Sequence, residues 1–227
     1  MTSFKILIWN CRGAGNDKFR RNFSEIFRSH QPEIVGLVET KVKIDSMGLF
    51  FNNFGLTNSV FVDPNGRSGG IWILWDPSKV SVNTNYSNSQ AVHVTIQMNG
   101  FASWFLSVVY ASPNPRLREA LWEDLKLFSA NTNNSPWVAV GDFNELALAD
   151  ESRSSTSDSS ASTRRKFADN INNCNLLDMG FSGPKLTWTN GRQGLACVQK
   201  RLDRGLCNEE WRTLFPEVRI TDVFVIL

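Results

Sequence analysis

The sequence predicts an α/β fold in which two mixed sheets pack face to face under outer helices. Three observations predict it. Short apolar runs of strand length recur along the chain, stretches with apolar residues at helical spacing are interleaved with them, and four of the runs end on a polar residue before a turn. The chain has 227 residues, 41% of them apolar, so one α/β domain can bury a full core, and residues 1–227 read as a single domain.

Taken in order, strands are expected near residues 4–9, 34–38, 57–62, 70–75, 80–85, 91–98, 103–109, 137–141, 186–189 and 198–204, with a last one near 218–226. Helices are expected near 17–30, 43–52, 115–130, 163–173 and 208–214. Phe4 to Trp9 alternates and then stays apolar, and it delivers Asn10 to the turn Cys11-Arg12-Gly13-Ala14-Gly15. Ile34 to Val38 reads as a buried strand that delivers Glu39, with Thr40 and Lys41 behind it. Trp104 to Val109 delivers Tyr110. Asn114-Pro115 opens the third helix, with Leu117, Leu121, Leu125 and Phe128 as its apolar face. Trp137 to Val140 is a short apolar run after Pro136 and leads into Gly141-Asp142-Phe143-Asn144. Ser152 to Ser162 holds seven serines and nothing aliphatic larger than alanine, the composition of a mobile surface loop inside one domain.

Asp142 and Asn144 stand two apart, on one side of a strand end, where open α/β sheets place their ligand crevices. An ionised Asp can orient a water or bind a divalent cation, and an Asn offers N–H donors to a phosphate without adding negative charge. The bland alternative is a capped strand end or an Asx turn. Asn10, Glu39 and Tyr110 admit equally bland readings one by one. Together, four strand ends converging on one edge would assemble a hard-cation site with phosphate donors around it.

In order and spacing, a longer string carries a resemblance: Trp9-Asn10-Cys11-Arg12-Gly13, Glu39-Thr40-Lys41, Gly69-Gly70 leading to Trp75, Tyr110, Gly141-Asp142-Phe143-Asn144-Glu145, Leu177-Asp178-Met179-Gly180-Phe181, Thr187-Trp188-Thr189-Asn190 and Arg201-Leu202-Asp203-Arg204. Over nearly its whole length the chain resembles the endonuclease/exonuclease/phosphatase superfamily, and within it the endonuclease domain of plant LINE-type non-LTR retrotransposons. The resemblance implies a four-layer α/β/β/α sandwich and a nuclear, DNA-nicking phosphodiesterase dependent on Mg²⁺ or Mn²⁺. With no signal peptide at Met1-Thr2-Ser3 and no long apolar span, an intracellular monomer without a membrane partner is expected. The resemblance implies further that Glu39 is the metal ligand, that Asn10 and Asn144 hold the scissile phosphate, and that Tyr110 contacts it. Asp142 would orient or deprotonate the attacking water, Thr187 would sit near the substrate, and Asp203 would orient a catalytic histidine.

The family closes with Ser-Asp-His on its last strand, the Asp assisting at the metal and the His acting on the phosphate. Here the only histidines are His30 and His93, and neither follows Ser-Asp. The expectation is a chain that stops about where the triplet would begin, lacking its last strand and catalytic histidine, and therefore an impaired enzyme. Its alternative is a non-catalytic remnant of a mobile element that at most binds nucleic acid, or another phosphodiesterase or phosphatase of the superfamily. His30 reads as the end of a helix before Pro32, and His93 as a residue on the polar face of a strand.

The net charge of +2 does not announce a nucleic-acid binder. Local clusters say more. Lys41 and Lys43 flank Glu39, and Lys200, Arg201 and Arg204 surround Asp203; these, Arg204 included, are the cations to place beside a phosphate backbone. Cys11, Cys174, Cys197 and Cys207 form no CxxC pair, so free thiols are expected, with Cys11 a small turn residue and not a nucleophile. Most of the eight tryptophans lie in apolar runs and read as core. Trp188, next to a glycine-bearing loop, has the alternative of stacking on a base.

Overall fold

The computed structural model of the protein describes residues 4–154, 160–221 and 224–226. The first sheet draws on β1 (Lys5–Asn10), β2 (Ile34–Val38), β3 (Asn58–Val62) and β4 (Ile71–Trp75), with α1 (Asp17–His30) between β1 and β2. The second draws on β5 (Ser81–Ser87), β6 (Ala91–Gln97), β7 (Trp104–Tyr110) and, after α2 (Pro115–Asn131), β8 (Trp137–Asp142). Shorter elements follow: β9 (Ser152–Arg153), α3 (Ala161–Asn173), β10 (Leu177–Asp178), β11 (Trp188–Thr189), β12 (Gln199–Lys200), β13 (Asp203–Cys207), α4 (Glu209–Leu214), β14 (Arg219–Thr221) and β15 (Phe224–Ile226).

Among the described residues the sheets run β14-β15-β1-β2-β4-β3, β10-β13-β8-β7-β6-β5 and, as a small third sheet, β11-β12-β9. β1 and β2 are parallel, as are β7 and β8, so their polar C-terminal residues leave the sheets at common edges. The two large sheets face each other across a core that includes Ile6, Ile34, Val38, Val92, Val94, Val108 and Val140. Leu7, Val35 and Leu37 point the other way, under Phe19 and Phe23 of α1. Val109, Trp137 and Ala139 likewise lie under Leu121, Leu125 and Phe128 of α2 and Phe167 of α3. That makes four layers, as the sequence predicts.

The local chemistry explains the helix ends. The Asn16 side chain accepts from Phe19 N, Asn114 caps α2 with Pro115 in its first turn, Ser160 caps α3 and Asn208 caps α4. Several boundaries differ from expectation. Residues 43–52 form no single helix: two 3₁₀ turns, Ile44–Met47 and Phe51–Phe54, are parted by Gly48 at φ 53°. The run 198–204 splits into β12 and the start of β13, and the last run is a hairpin, β14 with β15. β15 pairs antiparallel with β1, which therefore has neighbours on both sides. Of the serine-rich stretch, residues 155–159 lie outside the described residues.

His93 corrects the expectation of a polar face. Val92 and Val94 point into the sandwich, and the opposite side of β6, where His93 sits, is covered by α2. His93 is fully buried between Tyr86 and Phe128, its Nδ1 2.7 Å from the Ser107 hydroxyl and its Nε2 3.0 Å from the Asp124 carboxylate. Leu117 is also corrected, being 58% exposed. In its place Arg118 turns inward, donating to the carbonyls of Ser112 (2.7 Å) and Pro113 (3.0 Å).

Candidate active site

Across β7, β8 and β13 the register places Tyr110 beside Asp142 and Asp142 beside Asp203, one row of polar residues at the sheet edge. Asn10 arrives from the other sheet. Its Nδ2 donates to Asp142 Oδ2 at 2.7 Å, a bond that joins the two sheets at the edge where both parallel pairs end. Asp142 Oδ1 accepts from the Asn144 backbone N–H at 2.9 Å, and Asn144 Nδ2 donates to the Ala111 carbonyl at 2.7 Å. Asn10 Oδ1 accepts from Arg12 N, so both of these amides are oriented, and each keeps an N–H for another partner.

Two glycine features make this arrangement possible. Gly141 has φ 142°, and a Cβ there would stand 2.0 Å from the Val109 carbonyl oxygen, so only glycine lets β8 pass β7 immediately before Asp142. Gly69 and Gly70 accept, through their carbonyls, from Lys41 N and Thr40 N, holding the turn that carries Glu39. Arg12, Glu39, Lys41 and Asn144 all adopt positive φ, between 51° and 60°. Left-handed backbone at non-glycine residues costs about 1–2 kcal/mol each and tends to collect at functional sites.

Glu39 is ion-paired with Lys41 at 2.8 Å. The electrostatics of the edge are unbalanced. Burial, first, and the charge of Asp203, second, push the Asp142 carboxyl well above the usual carboxylate range. Burial raises Asp203 as well, while a hydrogen bond from the Thr187 hydroxyl and the Arg12 guanidinium pull it down. Burial with the charges of Glu39 and Asp142 raises the Tyr110 phenol, which stays a neutral donor at physiological pH. Negative charge exceeds what Arg12 and Lys41 neutralise, and a bound cation relieves such an excess.

That imbalance is the test of fit for a divalent ion. Among the described residues no group of three or more His, Cys, Asp or Glu side chains could hold a metal by itself. Magnesium keeps several waters and needs only one or two protein carboxylates, so the fit rests on Glu39, whose charge bears on Asp142, Asp203 and Tyr110.

Beside this edge lies a cleft of ≈ 660 Å³ lined by Asn10, Arg12, Thr187, Trp188, Gln199 and Asp203 among others. Thr187 Oγ1 accepts from the backbone N–H groups of Leu202 and Asp203, both at 3.1 Å, which fixes the start of β13. Trp188 stands on the small third sheet, with the Arg12 guanidinium 5.8 Å and the Lys200 ammonium 5.9 Å from its ring centre. Cys11 also lines the cleft, but burial pushes its thiol up to about 12, which leaves it un-ionised and unsuited to attack. All four cysteines are free.

Of the residues singled out in the sequence, the structure brings Asn10, Tyr110, Asp142, Asn144, Thr187 and Asp203 together, sets Glu39 in electrostatic reach of them, and puts Trp188 on the cleft wall. Arg204 it does not. Its side chain is fully enclosed, with Nη1 2.9 Å from Glu151 Oε1 and 2.8 Å from Asp178 Oδ2, and Nη2 on Glu151 Oε2. Adjacent residues on a strand face opposite ways, so Asp203 in the site turns Arg204 away from it. Arg201 is committed to the same two acids. Sequence reasoning missed Arg12, which is exposed at the cleft mouth and is the cation that bears on Asp203. It also missed the brace made by Glu145, whose Oε2 accepts from Trp122 Nε1 at 2.9 Å and lies 3.5 Å from Arg118 Nε. The histidines are elsewhere, His93 against α2 and His30 in the last turn of α1.

The sequence profile described as the Endonuclease/Exonuclease/phosphatase family matches residues 7–223. No curated protein matches the chain significantly. Among solved structures, the endonuclease domain of TRAS1, a telomere-specific non-LTR retrotransposon, is similar with a TM-score of 0.69 and 13% identity over 98% of this chain and 96% of that one. The 3'-5' exonuclease NExo of Neisseria meningitidis aligns with a TM-score of 0.68 and 18% identity, covering 98% of each chain. A structure described as the 3' phosphatase NExo from Neisseria bound to product DNA hairpin gives 0.68 and 16%, over 98% of this chain and 97% of that one.

Proposed function

Because the chain belongs to the endonuclease/exonuclease/phosphatase family, we propose that it is a phosphodiesterase of the retrotransposon endonuclease type, nicking nuclear DNA as a monomer with Mg²⁺ or Mn²⁺ bound at Glu39. The observation that carries the reading is the Asn10–Asp142 bond across the two sheets, at the row where Tyr110, Asp142 and Asp203 stand side by side. A metal held there would supply charge stabilisation at the phosphate. The chain's own groups do the rest. Asp142, oriented by Asn10 and by the Asn144 N–H, positions the attacking water and takes its proton. Asn10 and Asn144 offer their remaining amide N–H groups, and Tyr110 its neutral O–H, to the phosphate oxygens. Thr187 and Asp203 shape the cleft, Trp188 meets a base, and Arg12 takes the phosphate role that enclosure denies to Arg204.

One observation favours the non-catalytic alternative. β15 pairs with β1, and directly before it in sequence stands Thr221-Asp222-Val223, which reads as Ser-Asp-His with valine in place of histidine; Asp222 and Val223 lie outside the described residues. With both histidines remote from the cleft, no imidazole serves the phosphate, a deficit of about 10²–10⁴-fold. Plasmid nicking in Mg²⁺ and Mn²⁺ separates the two readings. The enzyme reading expects slow, metal-dependent nicking that Glu39→Gln and Asp142→Ala abolish and that Val223→His raises at least about tenfold. Nicking indifferent to Glu39→Gln and Asp142→Ala, or absent even after Val223→His, leaves the non-catalytic reading.

A further inference from the structure

A second groove, sharing no lining residue with the catalytic cleft, lies beside α1 and encloses ≈ 490 Å³. Phe27, Phe50 and Phe54 are half-buried in it, and Arg28 and Lys79 stand exposed at its rim. The rings brace one another, Phe27 to Phe54 at 5.0 Å and Phe50 to Phe54 at 5.3 Å, so they form a fixed floor. The Arg20 guanidinium lies 4.9 Å from the Phe50 ring centre, so one of these rings already carries a cation. No acidic residue lines the groove, and Lys79 is tied only loosely to Asp76, at 3.9 Å.

The groove is also connected to the cleft. Asn16, Lys18, Phe19 and Asn22, at and just after the start of α1, line the cleft, and the exposed Arg21 and Arg28 continue along the same helix to the groove. From Lys18 to Arg28 the helix rises about 15 Å, with Glu25 exposed between Arg21 and Arg28, so contact along this path concentrates at its two basic ends. Aromatic rings that present edges and faces between two cations suit a group that is itself aromatic and anionic. A nucleotide is such a group, and stacking on aromatic rings tolerates any base.

We propose that this groove is a second nucleic-acid subsite. It takes an unpaired nucleotide of a single strand leaving the cleft along α1, with the base on the phenylalanine floor and the phosphate between Arg28 and Lys79. The inference rests on the DNA reading of the cleft and extends it to single-stranded flanks.

The test compares the protein's affinity for a blunt duplex with that for the same duplex bearing a ten-nucleotide single-stranded tail, by fluorescence anisotropy across salt concentrations. Arg28→Glu with Lys79→Glu should lower the tail's advantage about tenfold and reduce the salt slope for the tail by about 0.7, one phosphate contact's worth. Arg116→Glu with Lys126→Glu on α2, the same change in charge, should leave the advantage intact. Photocrosslinking of a tail carrying 5-iododeoxyuridine should label the peptide that holds Phe50 and Phe54. Equal losses in the two double variants, or crosslinks confined to the Trp188 peptide, overturn the inference. A groove that captures an acidic aromatic peptide but not the tail overturns it in favour of a protein partner. A wild-type chain that binds blunt duplex without tail preference sinks this inference alone; one that binds no DNA sinks it together with the reading of the cleft.

Discussion

Glu151→Gln is expected to destabilise the protein by about 3 kcal/mol and to flatten its acid unfolding. Glu151 is 1% exposed and accepts from Arg201, from both Nη atoms of Arg204, and from the backbone N–H groups of Ala147 (2.7 Å) and Leu148 (3.1 Å). Removing its charge leaves the enclosed Arg204 guanidinium with Asp178 alone among acids. Breaking one side of a buried pair costs about 3–5 kcal/mol. The electrostatics point the same way: the arginine and backbone donors overcome burial and hold the Glu151 carboxyl at about 2, against 4.5 normally, so its ionised form favours the fold. The sign follows from a depressed folded-state pKa. The stabilisation is complete above pH ~4.5 and is lost as pH falls toward about 2. Urea unfolding followed by circular dichroism, from pH 7 to pH 3, should show wild type losing stability in the acid limb and Glu151→Gln losing less. At neutral pH the melting temperature should drop by about 10 °C for a chain of this size. Parallel pH profiles, or a drop below about 3 °C, would refute the claim that an ionised Glu151 clamps the segment that carries Asp203.

Three further outcomes are expected. Gly141→Ala forces a Cβ to within 2.0 Å of the Val109 carbonyl oxygen at φ 142°, so folding yield and melting temperature should fall sharply, by more than any surface Gly→Ala; an unchanged melt would show that β7 and β8 can separate there. Asn10→Ala removes the 2.7 Å bond to the buried Asp142 carboxylate and should lower any nicking rate about 100-fold while shifting the melting temperature by only a few degrees, with initial rates on supercoiled plasmid as the measurement. Trp188→Ala should weaken DNA binding about tenfold with little change in salt slope, because stacking and not charge is lost; a change confined to the slope would assign the effect to Arg12 and Lys200 instead.

The central strands were legible because both of their faces are covered, which leaves apolar runs too short for helices and ended by polar residues. Ile34–Val38 and Ile71–Trp75 are buried at every position. Two-sided burial also explains the failure at His93. Alternation along β6 showed which residues face the sandwich, but nothing local told that α2 would cover the opposite side and supply Asp124. Residues 43–52 misled for a related reason, since Ile44, Met47 and Phe51 stand at helical spacing while Gly48 interrupts the backbone.

For the site, the legible part is what the backbone itself presents: Asn10, Glu39, Tyr110 and Asp142 stand at or just past the ends of strands in one parallel pair or the other, so fold class and position sufficed to converge them. The illegible part is what holds them there. Arg118 reaches Glu145, and Arg201 and Arg204 reach Glu151 and Asp178, across separations that no motif encodes. A basic residue near a catalytic acid reads in sequence as a substrate contact. Asp203 points one way from β13, and the neighbouring Arg204 must point the other, into a space that admits a guanidinium only if acids are waiting in it. The Arg201 and Arg204 charge that sequence reasoning assigned to DNA is thus consumed in fixing the carboxylate beside it, while Arg12, on the turn that follows Asn10, stands exposed at the cleft mouth beside Asp203.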